Sequence, residues 1–142
     1  MKKNNNRISK HLPLSLIEPF RQYRNYATEE EDAILQASIE RDGLESPILV
    51  HKVAADRYGI IDGHRRWRIV RNLGLGTFMR CFLLPTTISE EDVAAVRFEL
   101  HNTRDLWTVS DRRRWLSRIR KRLHLRTNAM VIEALDLPPD IV

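Results

Sequence analysis

The sequence contains a single cysteine, Cys81, among 142 residues, so no disulfide can form within the chain. Disulfide-stabilised secreted domains are thereby excluded, and the low cysteine content is typical of a reducing cytosol. No apolar run approaches the length needed to cross a membrane, and no apolar signal-peptide region follows the basic N-terminus. We therefore expect a cytoplasmic protein with no membrane partner.

Other signatures are also missing from the sequence. There is no internal repeat and no Gly-x-x-x-x-Gly-Lys phosphate loop. There is also no cluster of acidic residues of the kind that holds two metal ions in a typical nuclease. Repeat architectures and phosphate-loop enzymes are therefore excluded, and a two-metal nuclease is disfavoured.

Positive charge is in moderate excess. The chain has 24 lysines and arginines against 19 acids, which gives a net charge of +5 and an isoelectric point near 9.8. This balance suits a polyanionic partner such as nucleic acid or nucleotide, although ordinary soluble proteins reach it too. Hydrophobic residues make up 42% of the chain, which is enough for a buried core in one domain or slightly more.

The stretch Tyr58–Val70 combines a strand, a tight turn and a helix start. It begins with apolar residues, turns at Gly63 and then starts an amphipathic helix with His64, Arg65 and Arg66 in its first turn. Cations at this end oppose the helix dipole, so an anion in front of them would relieve the repulsion. We expect a bound phosphate here; the alternative is a solvated basic turn.

A second helix is predicted before this stretch. It starts at the capping box Thr28–Glu31, runs to about Asp42 and stops at Gly43 in a left-handed cap. Its predicted buried side consists of Ile34, Leu35, Ala37 and Ile39.

The chain divides into a polar, disordered lead-in (1–10), a compact α+β domain with a short mixed sheet (11–86) and a basic helical segment (87–142). Alternating or apolar runs predict the strands of the middle part. These strands are His11–Ile17, Ile48–Val53, Tyr58–Ile61 and Thr77–Leu84.

The helical segment contains a helix from about Thr108 to His124 whose predicted buried residues include Trp115 and Leu123. Its other face is almost entirely basic, which predicts contacts with the DNA backbone. The alternative is a solvated face that is partly paired with the acidic helix start at Glu90–Asp92. The candidate DNA-binding residues are Arg112, Arg113, Arg114, Arg118 and Lys121.

Several blocks, in this order, resemble the N-terminal domain of ParB proteins over about Ile8–Arg104. The resemblance implies a ParB/sulfiredoxin fold. The segment Ala134–Pro139 is similar to one that follows the helix-turn-helix in ParB, but that unit is missing, shortened or beyond Val142 here. The blocks are Leu14–Ile17, Gln22–Arg24, Ser38–Ile39, Gly43–Leu44, Pro47–Val50, Ile60–Arg66 and Gly74.

The resemblance further implies a pocket that binds CTP with magnesium and a homodimer that closes as a clamp on DNA. The block Gly63–Arg66 matches the family's phosphate cradle, with Gly63, His64, Arg65 and Arg66 as its members. Ser46 stands where the family's base-recognition block has glutamine. Asn102 and Arg104 approximate a third block of the pocket, with one residue fewer before the arginine.

Histidines occupy both positions where the family has glutamate, one linked to hydrolysis and one near the metal: His64 and His101. Imidazole is a poor magnesium ligand, but it can hydrogen-bond a phosphate oxygen. We therefore expect a weak CTPase or none, with His64 as the candidate catalytic residue and magnesium in doubt. A less favoured possibility is that His64 and His101 share a transition metal.

Two classes of function follow. The first is a DNA-partition or DNA-associated regulatory module that binds a nucleotide. The second is an enzyme that uses the same pocket, as a nucleotide hydrolase, small-molecule kinase or ParB-like nuclease. The sulfiredoxin branch of the fold needs a cysteine at the turn, where this chain has His64. The histidine replacements favour the first class.

Overall fold

The computed structural model describes residues 9–25, 27–44, 46–101, 108–138 and 141. These residues form a five-stranded sheet and five α-helices. The strands are β1 (Ser9–Pro13), β2 (Ile17–Glu18), β3 (Ile48–Ala54), β4 (Arg57–Asp62) and β5 (Phe78–Leu83). The helices are α1 (Glu29–Asp42), α2 (His64–Leu73), α3 (Glu90–His101), α4 (Val109–Leu123) and α5 (Asn128–Leu135).

The sheet is mixed, with the order β1-β5-β3-β4-β2. β1 pairs antiparallel with β5, β5 parallel with β3, β3 antiparallel with β4, and β4 parallel with β2. The antiparallel pair β3–β4 is a hairpin, whereas β4 reaches β5 only through α2. This architecture confirms the predicted α+β class, the mixed sheet and the helical C-terminal segment.

The sheet is covered on both faces, which explains its continuous apolar runs. Successive residues of a strand point to opposite faces, so Ile48 and Val50 belong to one core and Leu49 to the other. All three side chains are buried, at 0–1% exposure. A strand that is buried on both faces needs apolar residues at every position, as central strands in layered folds do.

Different helices cover the two faces. On one face, Ile39 of α1 and Trp67 and Val70 of α2 pack with the sheet. On the other face, α3, α4 and α5 supply a larger core that includes Trp115 and Val131. The C-terminal helices therefore share a core with the sheet, and α3 also borders the region where α2 begins.

The predicted helix boundaries are largely confirmed. Thr28 and Glu31 form the capping box of α1 through reciprocal hydrogen bonds of 3.1 and 2.8 Å. α2 ends at Gly74, whose backbone is left-handed. The buried side of α4 is the predicted one, with Trp115, Leu116, Ile119 and Leu123 at 0–1% exposure.

The prediction was wrong about the outer part of α1. Ile34 is 71% exposed and Ala37 is also exposed, so Ile39 is the buried residue of this helix, with Leu35 only partly covered. The reason is that α1 touches the core through a narrow stripe. Gly43, which follows α1, has φ 77° and ψ −178°. Its φ is positive, as in the predicted left-handed cap, but its ψ lies outside the left-handed helical region, so that part of the prediction was wrong.

The first strand also differs from the prediction. It begins at Ser9 and ends at Pro13, and a single 3-10 turn, Leu14–Leu16, separates it from β2. The turn moves the chain from one edge of the sheet to the other, because β1 and β2 are the two edge strands.

Within the described residues, no helix is long and apolar enough to span a bilayer.

Candidate functional site

Gly63 lies at the junction of β4 and α2, and the backbone there requires glycine. Its φ is 107° and ψ 19°, a conformation that side chains with a Cβ rarely adopt. A Cβ added at this position would lie 2.5 Å from Cγ2 of Ile48, which is fully buried in the neighbouring strand. Glycine therefore lets α2 start directly against the sheet.

The first turn of α2 has no side-chain cap, since its N-cap residue is Gly63. The first intrahelical bond runs from the N–H of Trp67 to the carbonyl of Gly63, at 3.0 Å. The N–H groups that precede it have no acceptor inside the helix, and the helix dipole adds partial positive charge at this end. The start of α2 thus has the general properties of an anion-binding site.

Two cavities meet at this helix start. The larger has a volume of about 630 Å³ and is bounded by the loop after β2, by α1 and by α3. The smaller, of about 310 Å³, lies against the turn itself and includes Asp62 and Gly63 in its wall. Both cavities are open to solvent. The residues that border both of them are Tyr23, Arg65 and Arg97.

His64 is buried, at 3% exposure, and it fastens the loop after β2 to the helix start. Its Nε2 accepts a hydrogen bond of 2.9 Å from the backbone N–H of Phe20. Its ring stacks on that of Tyr23, with 4.2 Å between the ring centroids and 5° between the ring planes. Burial, reinforced by the positive charge of Arg97, lowers the pKa of His64 to about 3. The imidazole is therefore neutral, with its proton on Nδ1, because a backbone donor already uses the lone pair of Nε2.

Arg97 of α3 is the second organising side chain. Its Nη1 donates to the carbonyl of Ile61 at 2.9 Å and lies 3.0 Å from Nδ1 of His64. Its Cζ lies over the ring of Tyr23, 5.2 Å from the ring centroid. Burial lowers the pKa of Arg97, and the nearby Asp62 opposes that shift. The hydroxyl of Tyr23 is buried without a hydrogen-bond partner among the described residues, and burial raises its pKa.

Arg65 and Arg66 point in different directions. Nε of Arg65 donates to Oδ1 of Asp32 at 2.7 Å, so one of the protein's own carboxylates occupies that side of the guanidinium. Arg66 donates to the carbonyl of Ser46 at 3.3 Å and also borders the smaller cavity. The hydrogen bond from Arg65, with one from Asn25, lowers the pKa of Asp32. The cationic turn is therefore partly neutralised, and the cavities beside it remain open.

Asp62 is the carboxylate in the wall of the smaller cavity. Burial raises its pKa, while Arg66 and Arg97 act in the opposite direction. Magnesium prefers several oxygen ligands, and guanidinium groups flank this single carboxylate. Within the described residues, no group of three or more histidines, cysteines or acids could hold a metal ion.

Ser46 does not line either cavity. Its hydroxyl hydrogen-bonds the carboxylate of Asp136, the C-cap residue of α5, and only its carbonyl faces Arg66. A side chain 90 positions away thus holds the residue that replaces the family's glutamine. This bond joins the end of α5 to the loop before β3, and the role of Ser46 at the ligand stays a prediction.

The remaining predicted pocket residues are divided. His101 is exposed at the end of α3 and lines the larger cavity. Both ring nitrogens of His64 face the contacts described above, which disfavours a metal shared by the two histidines. Asn102 and Arg104 lie outside the described residues.

The basic face of α4 is only partly free. Arg118 pairs with Glu99 at 3.3 Å, Arg114 pairs with Asp111, and Arg112 donates to the carbonyl of Ile141. Arg122 pairs with Asp92, as the alternative interpretation of the helix anticipated. Within the described part of the chain, Arg113 and Lys121 are exposed and have no ion-pair partner.

The sequence-based prediction missed three residues that organise the site: Tyr23, Asp32 and Arg97. A signal for Arg97 was available, because it lies four residues after Val93 and three before Leu100, and residues at this spacing share one side of a helix. A cation at such a position needs a specific partner. Tyr23 and Asp32 carried no comparable signal, since they lie in a loop and in an acidic first turn.

Comparison with known proteins connects this geometry to a family. The family described as ParB N-terminal domain matches residues 1–102. A probable chromosome-partitioning protein ParB of Pseudomonas putida is 35% identical over 96 residues, or 63% of this chain and 30% of that protein. A nucleoid occlusion protein of Geobacillus kaustophilus is 39% identical over 66 residues, or 46% of this chain and 24% of that protein. The chain thus spans less than a third of either relative.

A solved structure supports the fold. The C-terminally truncated chromosome-partitioning protein ParB from Caulobacter crescentus, complexed with CTP-gamma-S, has a TM-score of 0.57 and 22% identity. The similarity covers 89% of this chain and 69% of the other. At 22% identity the similarity is evidence for the fold alone, and the matched part includes some of the C-terminal helices.

Proposed function

We propose that this chain, which belongs to the ParB N-terminal domain family, is part of a cytoplasmic, homodimeric, ParB-like partition or DNA-associated regulatory protein. In this proposal a nucleotide binds in the two cavities at the start of α2, with Gly63, His64, Arg65 and Arg66 at its phosphates. The observation that carries the proposal is the meeting of the two cavities at an uncapped helix start, where they share Arg65 and Arg97.

The hydrogen-bond donors around the smaller cavity support an anionic ligand. Because Nε2 of His64 accepts from Phe20, the proton on Nδ1 is directed at Arg97, which has no lone pair to accept it. The buried hydroxyl of Tyr23, which borders the same cavity, is a further donor and has no acceptor among the described residues. A phosphate oxygen in this cavity could accept hydrogen bonds from these donors.

The larger cavity is suited to the rest of a nucleotide. Its volume of about 630 Å³ falls within the range of about 300–1,000 Å³ that is usual for small-molecule sites. Its wall includes Phe98, which is 67% exposed, together with polar loop residues such as Gln22 and Asn25. An aromatic side chain beside polar groups can stack on a base and bond its edge.

Hydrolysis receives less support than binding. A general base needs an available lone pair close to the attacking water, whereas Nε2 of His64 accepts from Phe20. Its pKa of about 3 also makes it a weak base at neutral pH. Asp62 is the observation that favours the enzymatic alternative, because burial raises the pKa of a carboxyl group in the cavity wall.

Titration calorimetry tests the binding site. We expect CTP or another nucleoside triphosphate to bind, and Arg66→Ala to weaken that binding by about 10- to 100-fold, because it removes charge-assisted hydrogen bonds to the ligand. Arg80→Ala removes the same charge from strand β5, away from both cavities, and should leave the affinity within about twofold.

The same samples separate the two classes of function. CTP, ATP and GTP are titrated with and without magnesium, and phosphate release is followed in parallel. Rapid turnover that is lost in Asp62→Asn would favour the enzyme. Absence of binding for all three nucleotides, or equal losses in the Arg66 and Arg80 variants, would refute the proposed site.

We also propose that α4 contacts the DNA backbone through Arg112, Arg113, Arg114, Arg118 and Lys121. Of these, Arg113 and Lys121 are exposed and form no ion pair with a carboxylate within the described part of the chain. Arg118 must first give up its contact with Glu99. The contribution of each residue to DNA binding should therefore differ.

Salt-dependent DNA binding tests this proposal. We expect Arg113→Ala plus Lys121→Ala to lower affinity for all sequences alike and to reduce the salt slope by about 2, or about one for each lost phosphate contact. Arg118→Ala should have a smaller effect. The measurement is fluorescence anisotropy of labelled duplexes of unrelated sequence at 50–200 mM salt. An unchanged salt slope in the double variant would contradict a backbone contact.

A further inference from the structure

Asp32 lies at the centre of a network that spans three elements around the cavities. Its Oδ1 accepts from Nε of Arg65 at 2.7 Å, and its Oδ2 accepts from Arg68 at 2.9 Å and from Asn25 at 3.0 Å. Arg65 and Arg68 belong to α2, Asp32 to α1 and Asn25 to the loop after β2. One carboxylate thus connects α1, the first turns of α2 and the loop after β2.

The geometry at Arg65 shows which part of the guanidinium Asp32 uses. The bond is made by Nε, while the two terminal NH₂ groups have no hydrogen-bond partner among the described residues. Arg65 borders both cavities, whereas Asp32 lines neither of them. Terminal NH₂ groups can grip a phosphate in a fork, and a side chain that is already held by Nε loses less freedom when it does so.

We propose that Asp32 is a positioning residue for ligand binding, which holds Arg65 ready to bond the phosphates of a nucleotide. This inference rests on the proposed nucleotide site, but it adds a residue that touches no ligand. It also assigns a purpose to the contact between Arg65 and an internal carboxylate. Asn25, in the wall of the larger cavity, is held by the same carboxylate through Oδ2.

A competing interpretation gives the opposite result. If Asp32 acted as an internal substitute for phosphate, a ligand would have to displace it, and removing the carboxylate would strengthen binding. The observed contact through Nε leaves the terminal NH₂ groups available, so displacement is unnecessary. Positioning therefore predicts weaker binding when Asp32 is changed, despite the loss of a negative charge near an anionic ligand.

A double-mutant cycle tests the proposal. Asp32→Asn removes the charge at nearly constant size, and Asp32→Glu keeps the charge but moves the carboxylate. We expect Asp32→Asn to weaken binding of the nucleotide that wild type binds by about 2- to 10-fold, which corresponds to ordering one long side chain. Asp32→Glu should show a smaller loss, in the same direction. Both losses should disappear in an Arg65→Ala background.

Glu30→Gln is the matched control, since it removes an equal charge from the same first turn at an exposed position. It should leave the affinity unchanged, and thermal unfolding is recorded for every variant. Should Asp32→Asn not fold, Asp32→Glu carries the comparison alone. Stronger binding, or equal losses with and without Arg65, overturns the proposal. Failure of wild type to bind any nucleotide instead rejects the proposed site itself, so the two failures are distinguishable.

Discussion

Replacing Gly63 with alanine is expected to destabilise the protein by about 2–6 kcal/mol, which is a large part of the usual stability of a small domain. Backbone strain contributes about 1–3 kcal/mol, because φ is 107° at this residue. Overpacking contributes about 1–3 kcal/mol more, since the new Cβ would lie 2.5 Å from Cγ2 of Ile48. Urea unfolding, followed by the fluorescence of the buried Trp67 and Trp115, measures the loss.

Gly74→Ala provides a matched control at the other end of the same helix. Gly74 also has a positive φ, 64°, but an added Cβ would meet no atom within 4 Å. We expect it to cost only about 1–2 kcal/mol, the usual penalty for a left-handed side chain. Equal losses in the two variants would mean that the close contact with Ile48 contributes nothing, contrary to the geometry described above.

The second large effect is a loss of stability in mild acid caused by His64. Its pKa is about 3 in the folded protein, against an ordinary value of 6.5. Between these values the unfolded chain binds a proton and the folded chain does not, so stability falls as the pH decreases. The slope approaches about 1.4 kcal/mol per pH unit, which amounts to about 3 kcal/mol between pH 6.5 and 4.

His64→Gln separates this effect from others. Glutamine can still accept from the N–H of Phe20, but it does not titrate. The free energy of unfolding should therefore fall less steeply between pH 6.5 and 4, by the slope that corresponds to about one bound proton. Burial also lowers the pKa of His51, so part of the slope persists in the variant. Parallel curves for wild type and His64→Gln, measured by urea unfolding at each pH, would contradict a buried neutral His64.

The secondary structure was largely predictable, because its signals are local. The capping box at Thr28 and Glu31, and the apolar spacing of Trp115 and Ile119, fix helix ends and buried faces through residues three or four positions apart. The ordered blocks that resemble the ParB N-terminal domain predicted the fold. The failures at Ile34 and Ala37 show the limit, since periodicity marks an apolar stripe but not how much of it the neighbouring elements cover.

The candidate site was predictable only in part. Sequence marked Gly63, Arg65 and Arg66, because a strand, a glycine and a basic helix start are adjacent in the chain. It gave no indication that Arg65 bonds Asp32, 33 residues earlier, or that the Ser46 hydroxyl bonds a residue 90 positions later. Such pairs depend on how the helices pack on the sheet.

The sequence by itself determined the mixed α+β framework, the glycine turn and the accumulation of positive charge, since each of these depends on neighbouring residues. Tertiary structure alone decided the state of His64: Phe20 and Arg97, 44 and 33 residues away, meet its two ring nitrogens in a buried setting. Dehydration there makes the charged imidazole unfavourable, and no local pattern of residues encodes that cost.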